Sequence, residues 1–202
     1  HDNMLPDFEE FVDLIKKSQT QRRGVAVHCV TEVALVFTLA AMRASGYSAG
    51  NRIEHASVIP TTLIDQLKEL DLAIVTQPNF LHEKGDYYFK EIPVKDHDYL
   101  YRCRSLIDAD VPLAFGTDMP FGKADPWKAM QAATNRQTLE GHVFNYNERI
   151  TPEQALEGFL GTLESPFKKR KVSINSKADL CLPDAPCDQI RSDLDARHVA
   201  HT

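Results

Sequence analysis

Long apolar runs are missing from the 202-residue chain. The longest candidate, Val33 to Met42, contains a threonine and ends at Arg43, well short of the roughly 18 residues that a membrane-crossing helix needs. An excess of basic charge is missing too: 23 Lys and Arg face 29 Asp and Glu, for a net charge of −6. Such a chain is a poor partner for nucleic acid or an anionic membrane, and neither is expected. Cysteine is scarce, with Cys29, Cys103, Cys181 and Cys187 the complete set. No two of them form a C-x-x-C pair, which argues against a structural zinc knot and against a disulfide-built scaffold. Spacing alone leaves a Cys181–Cys187 bridge open, but scattered cysteines in an acidic chain point to a reducing compartment, the cytoplasm. The opening His1-Asp2-Asn3-Met4 has neither a basic nor an apolar signal-peptide region. It reads instead as the cut edge of something longer.

What remains is an ordinary globular mixture, 43% hydrophobic and 26% charged, enough for one or two domains with a sizeable core. Short β-rich runs alternate with helical stretches. Phe8, Phe11, Val12 and Ile15 fall at helical spacing over 6–17, and Gly24 stops that helix. Val25 to Val30 reads as a buried strand, Thr31 to Ala44 as a helix ended by Gly46. Arg52 to Ala56 is a second strand, followed after Pro60 by a helix from Thr61 to Leu70; Leu72 to Gln77 is a third strand, ended by Pro78. A polar, aromatic loop is expected from Asn79 to about Val94, then a helix from Asp96 to Ala109. Pro112 to Thr117 is a fourth strand, and Asp125 caps a helix that runs to Arg136 with Pro126 in its first turn. Four successive βα units imply a parallel sheet with right-handed crossovers and helices covering its faces. Thr151-Pro152-Glu153-Gln154 opens one more helix, to about Leu160, with a capping-box pattern. Beyond it the composition changes: a basic run at Lys168-Lys169-Arg170-Lys171 reads as a solvated linker, and Ser173 to Pro183 as a strand segment. A domain boundary is therefore placed at 164/165.

Polar residues sit where these strands end. His28 lies near the end of the first, His55 closes the second, Gln77 the third and Asp118 the fourth. In parallel α/β folds the C-terminal strand ends share one face, and that face carries the active site. A lone histidine at a strand end is ordinarily a core or rim residue, and a lone Gly-Thr-Asp is ordinarily a turn. Two histidines and an aspartate at such ends together form a metal set, whose imidazole and carboxylate groups suit zinc. The remaining histidines lack this placement. His82 and His97 lie in or beside the long loop, while His142, His198 and His201 read as surface residues. A complete flavodoxin-like domain would want a Gly-rich phosphate loop after an early strand, and none occurs.

Six segments, in order, resemble one known family. His28-Cys29-Val30-Thr31-Glu32-Val33-Ala34, Asn51-Arg52-Ile53-Glu54-His55-Ala56, Val75-Thr76-Gln77-Pro78, Gly116-Thr117-Asp118-Met119-Pro120, Thr151-Pro152-Glu153-Gln154-Ala155-Leu156 and Ser173-Ile174-Asn175-Ser176-Lys177-Ala178-Asp179-Leu180 resemble successive motifs of the amidohydrolase superfamily. The branch is amidohydrolase family 3, which includes N-substituted formamide deformylases, and the resemblance runs from about residue 8 to 200. Thr31 and Glu32 stand where that branch usually has glycine and aspartate.

The resemblance implies the C-terminal half, strands five to eight, of a TIM-like (β/α)8 metal-dependent hydrolase barrel over 1–164. Part of a small β-sandwich is implied over 165–202. His28 and His55 match metal ligands, and Asp118 matches the aspartate that touches the metal and acts as general base. Gln77 and the loop from Asn79 to Tyr88 then face a small-molecule substrate. The implied cofactor is a divalent metal, zinc, and the implied reaction is hydrolysis of amide-like C–N bonds. The family's first strand supplies a His-x-His pair that this chain does not contain. The chain is thus expected to be a fragment, inactive by itself, completed by the remainder of the barrel or by a second copy. The rival expectation is a binding or regulatory module that keeps the barrel shape without catalysis.

Overall fold

A computed structural model describes residues 5–46, 49–162 and 165–201. Helix α1 spans Phe8–Thr20, where Asp7 accepts the Glu10 N–H at 3.0 Å and Val12 and Ile15 face inward. Strand β1 is Ala26–Cys29, and α2 is Glu32–Ser45, capped by the Thr31 hydroxyl oxygen, which accepts from the Ala34 N–H. Then come β2 (Arg52–His55), α3 (Thr61–Glu69) and β3 (Ala73–Thr76). Helices α4 (Asn79–Glu83) and α5 (Gly85–Glu91) precede a 3-10 turn at Val94–Tyr99, and α6 is Cys103–Asp108. Strand β4 is Leu113–Phe115, and α7 is Pro126–Asn135, with the Asp125 carboxylate accepting the Lys128 N–H. Helix α8, Pro152–Glu157, opens with the expected reciprocal Thr151–Gln154 cap. The chain closes with β5 (Leu182–Pro183), α9 (Cys187–Asp193) and β6 (Val199–His201), β5 and β6 pairing antiparallel.

The main sheet has the strand order of the sequence, β1-β2-β3-β4, with β1–β2 and β2–β3 parallel. The mixed α/β fold with a parallel sheet is thus as the sequence predicts. The backbone divides into two compact units, 1–76 with 98–113 and 77–97 with 114–202. In the first, Ile53 and Ile74 of the sheet pack among Ile15, Leu35, Leu39, Leu67 and Leu106. Each such side chain contributes about 1.5–3 kcal/mol on leaving water. In the second, Phe80, Leu81, Phe115, Met130, Phe144, Ile150 and Ala155 are buried. The boundary expected at 164/165 adjoins residues 163 and 164, both of which lie outside the described residues.

Three expected segments differ. The loop expected from Asn79 to Val94 is largely helical, α4 and α5, because Phe80, Leu81 and Gly85 are buried and tertiary packing outweighs a polar composition. The single helix expected from Asp96 to Ala109 is broken at Leu100–Arg102. There Tyr99 O accepts from Ile59 N–H and Tyr101 N–H donates to Ser57 O, both at 2.9 Å, and Tyr101 takes φ +46°. The strand expected over Ser173 to Pro183 is regular only at its last two residues. Val172 and Ile174 are 88% and 93% exposed, and Ser176 N–H turns back to Ser173 O. A strand with neither ladder partner nor cover for its apolar side chains is not held extended.

Candidate functional site

In the first unit, the register pairs His28 with Glu54 and Cys29 with His55. Side chains alternate along a strand, so a regular His55 would project with Cys29, away from His28. It does not: His55 takes φ +68°, which swings its Cβ to the opposite face. The two imidazole rings consequently meet edge to face, with centroids 4.5 Å apart. The turn is braced from the neighbouring backbone. The Thr76 hydroxyl donates to His55 O at 2.7 Å, Ala56 N–H to Glu54 O at 2.9 Å, and Ser57 N–H to Cys29 O at 3.3 Å. Left-handed backbone at a non-glycine residue costs energy and concentrates at functional sites, although turns and helix ends in this chain also use it. Glu54 is already held by Arg52, Nε to Oε1 at 2.5 Å.

His28 is exposed and His55 half-buried, so the pair is open to solvent on one side. Two imidazoles side by side at strand ends, backed by braced backbone, fit a divalent cation. Neutral ring nitrogens are among its commonest ligands, and zinc accepts them at about 2.0–2.1 Å. Cys29, between His28 and the core, is turned inward with its thiol 3.3 Å from the Thr38 hydroxyl. Burial pushes that thiol up, against the opposing effect of the Thr38 hydrogen bond. It is thus a protonated packing group rather than a thiolate ligand.

In the second unit, Gln77 is 4% exposed and Asn79 is fully buried. The Asn79 amide donates to Thr117 O and to Glu83 Oε1, both at 3.2 Å, while its Oδ1 is buried with no hydrogen-bond partner. Asp118 is exposed and left-handed, φ +56°, and its carbonyl accepts from Gly122 N–H at 2.9 Å.

The histidines expected to lie outside the site are occupied elsewhere. The His82 ring approaches Gln137 O at 3.1 Å, His97 approaches Ile92 O at 2.8 Å, and His198 approaches Asp193 at 3.1 Å. His142 stacks on Phe89, centroids 4.3 Å apart. The structure adds a group that no sequence pattern indicated: one ligand atom each of Asp86, Glu140 and His142 lie within 4.8 Å of one another. Asp86 accepts the Glu140 N–H at 3.1 Å across 54 residues of sequence, so it also anchors the 137–143 hairpin. Burial works against the charged Asp86. The Thr138 hydroxyl and the Glu140 amide outweigh it, with His142 and Lys90 adding positive charge nearby, and the carboxyl is held below its ordinary range. Cys181 and Cys187 are free and exposed, so the bridge that spacing left open is not formed. Among the described residues no helix is long and apolar enough to cross a membrane.

Comparison with known proteins gives matches of three kinds. Residues 2–159 match the model of a family described as the amidohydrolase family. An N-substituted formamide deformylase of Arthrobacter pascens is 26% identical over 152 residues, covering 73% of this chain and 28% of that protein. Two solved structures, both of uncharacterized metal-dependent hydrolases, superpose well. The one from Pyrococcus furiosus has a TM-score of 0.66 at 29% identity, covering 76% of this chain and 31% of that one. The one from Pyrococcus horikoshii has a TM-score of 0.68 at 28% identity, covering 77% and 32%. The chain spans about a third of the length of the curated relatives it matches.

Proposed function

Because the chain belongs to the amidohydrolase family, we propose that it contributes the C-terminal half of a metal-dependent hydrolase acting on amide-like C–N bonds. In this reading 1–164 supply strands five to eight of a (β/α)8 barrel and 165–202 part of a small β-sandwich. The rest of the barrel comes from the remainder of the protein or from a second copy. The carrying observation is the His28–His55 ring pair at the ends of adjacent parallel strands.

The metal set assigned here is His28, His55 and Asp118, and the metal is zinc. A divalent cation bound there supplies a Lewis acid and makes hydroxide available near neutral pH. Asp118 accepts the proton of the attacking water at its carboxylate and passes it to the leaving nitrogen. His28 and His55 would hold the cation through their ring nitrogens. Gln77 and Asn79 belong to the substrate side, Asn79 through the backbone that it holds. The substrate is a small molecule, the acidic charge disfavours nucleic acid and an anionic membrane as partners, and the compartment is the cytoplasm.

The test is turnover of the full natural protein on N-substituted formamides and related amides, the substrate class in the name of the Arthrobacter relative. Chelation should abolish hydrolysis, zinc should restore it, and His55→Ala should not be restored at the same zinc concentration. Turnover indifferent to chelator and to His55→Ala would overturn the reading. Metal binding without turnover on any amide would favour a non-catalytic module.

A further inference from the structure

We propose that α4 is a latch on the loop carrying Asp118, with Asn79 and Glu83 as positioning residues for the catalytic base. This rests on Asp118 being that base. Within the loop from Thr117 to Lys123 the stretch Asp118 to Phe121 is not held by burial, since Met119 and Phe121 are 65% and 75% exposed and Asp118 and Pro120 are exposed as well. Its backbone is instead gripped on both sides of Asp118 from α4. On one side the Asn79 amide donates to Thr117 O at 3.2 Å. On the other, both Glu83 carboxylate oxygens accept the Lys123 N–H at 3.3 Å. A second hydrogen of the Asn79 amide goes to Glu83 Oε1, so the two grips are one network. Next along the chain, the Lys84 ammonium sits 4.3 Å from the Phe80 ring centroid and 4.4 Å from that of Phe121, tying the loop tip to the same helix.

Two details argue that the position of the loop, rather than packing, is what this arrangement serves. Asn79 keeps a fully buried amide whose Oδ1 has no partner. An apolar residue of similar size would avoid that cost but would not hold Thr117 O. Local rules of this kind are broken chiefly where function requires it. Gly122 supplies the second detail. A Cβ there would lie 2.2 Å from Thr117 O and 2.4 Å from Asn79 Nδ2, so the loop approaches α4 as closely as backbone permits. The latch thus fixes Thr117 and Lys123, and with them the left-handed Asp118 between.

The experiment compares Glu83→Ala, Glu83→Gln and Asn79→Ser in the full natural protein, reading amide hydrogen exchange of 117–123 alongside kcat and KM. Glu83→Ala should speed exchange across the loop while leaving 26–29 and 52–55 unchanged. It should lower kcat by about 10- to 100-fold, the cost of a small misplacement of a reacting group, with KM little changed. Glu83→Gln retains an acceptor for Lys123 N–H and should recover both readouts. A merely structural anchor would lower the melting temperature without lowering kcat per folded molecule. Unchanged exchange, or faster exchange with unchanged kcat, overturns the latch. Asn79→Ser decides the matter in the same way should Glu83→Ala fail to fold. Undiminished turnover in Asp118→Asn is a different failure: it removes the base itself, and the positioning role with it.

Discussion

The rings of His28 and His55 stand 72° apart in plane and 4.5 Å apart in centroid, although the strand register gives His55 a different partner, Cys29. The pairing exists because His55 leaves β2 with φ +68°. That conformation is secured by the Thr76 hydroxyl on its carbonyl and by the turn through Ala56 and Ser57. One left-handed residue therefore brings together two strand-end histidines whose side chains would otherwise face apart.

Asp118→Asn in the full natural protein should cut turnover by about 10²–10⁴-fold, the usual contribution of a general base, while the fold survives. Asparagine matches the shape and tolerates the left-handed backbone that Asp118 occupies, φ +56°. Were Asp118 only a turn residue, the change would cost at most about 1 kcal/mol of stability and leave kcat alone. kcat with zinc in excess, paired with a thermal melt, separates the two.

Asp86→Asn should destabilise the second unit at neutral pH and matter less in acid. The Asp86 carboxyl is held below its ordinary range by its hydrogen bonds and neighbouring positive charge, against burial. A depressed folded-state pKa means stabilisation that is present above the unfolded value, about 3.9, and is lost as pH falls through the folded one. Melting temperatures of wild type and variant should therefore differ at pH 7 and converge toward pH 3. A gap independent of pH would assign the effect to packing alone.

Thiol alkylation of the native protein should label Cys181 and Cys187 well before Cys29 and Cys103. The first two are exposed and the others buried, and burial raises the Cys29 thiol further from its reactive form. Mass spectrometry of peptides after brief iodoacetamide treatment reads the order directly. Early labelling of Cys29 would mean that β1 opens far more readily than its core position allows.

The strands and their order were legible because they are short, nearly continuous apolar runs punctuated by Gly and Pro, a signal that packing in a parallel sheet reinforces. His28 and His55 were legible as residues near strand ends for the same reason, whereas Asp118 lies three residues past the end of β4. That His28 and His55 actually touch was not, since a positive φ at a histidine leaves no compositional trace. The break at Leu100–Arg102 was hidden because its cause, backbone pairing with Ser57 and Ile59, lies some forty residues upstream. Asn79's grip on Thr117 spans 38 residues and that of Asp86 on Glu140 spans 54, so neither has a local pattern to read. Alpha-helical α4 and α5 were hidden by a polar, aromatic composition whose apolar members prove to be buried.

Anomalous diffraction at the zinc edge from crystals of the full natural protein tests the central claim most directly. The account predicts a zinc peak about 2.0–2.1 Å from one ring nitrogen each of His28 and His55. A peak on Asp86, Glu140 and His142 instead, or zinc-soaked crystals in which the His28 and His55 rings carry no peak, would contradict it.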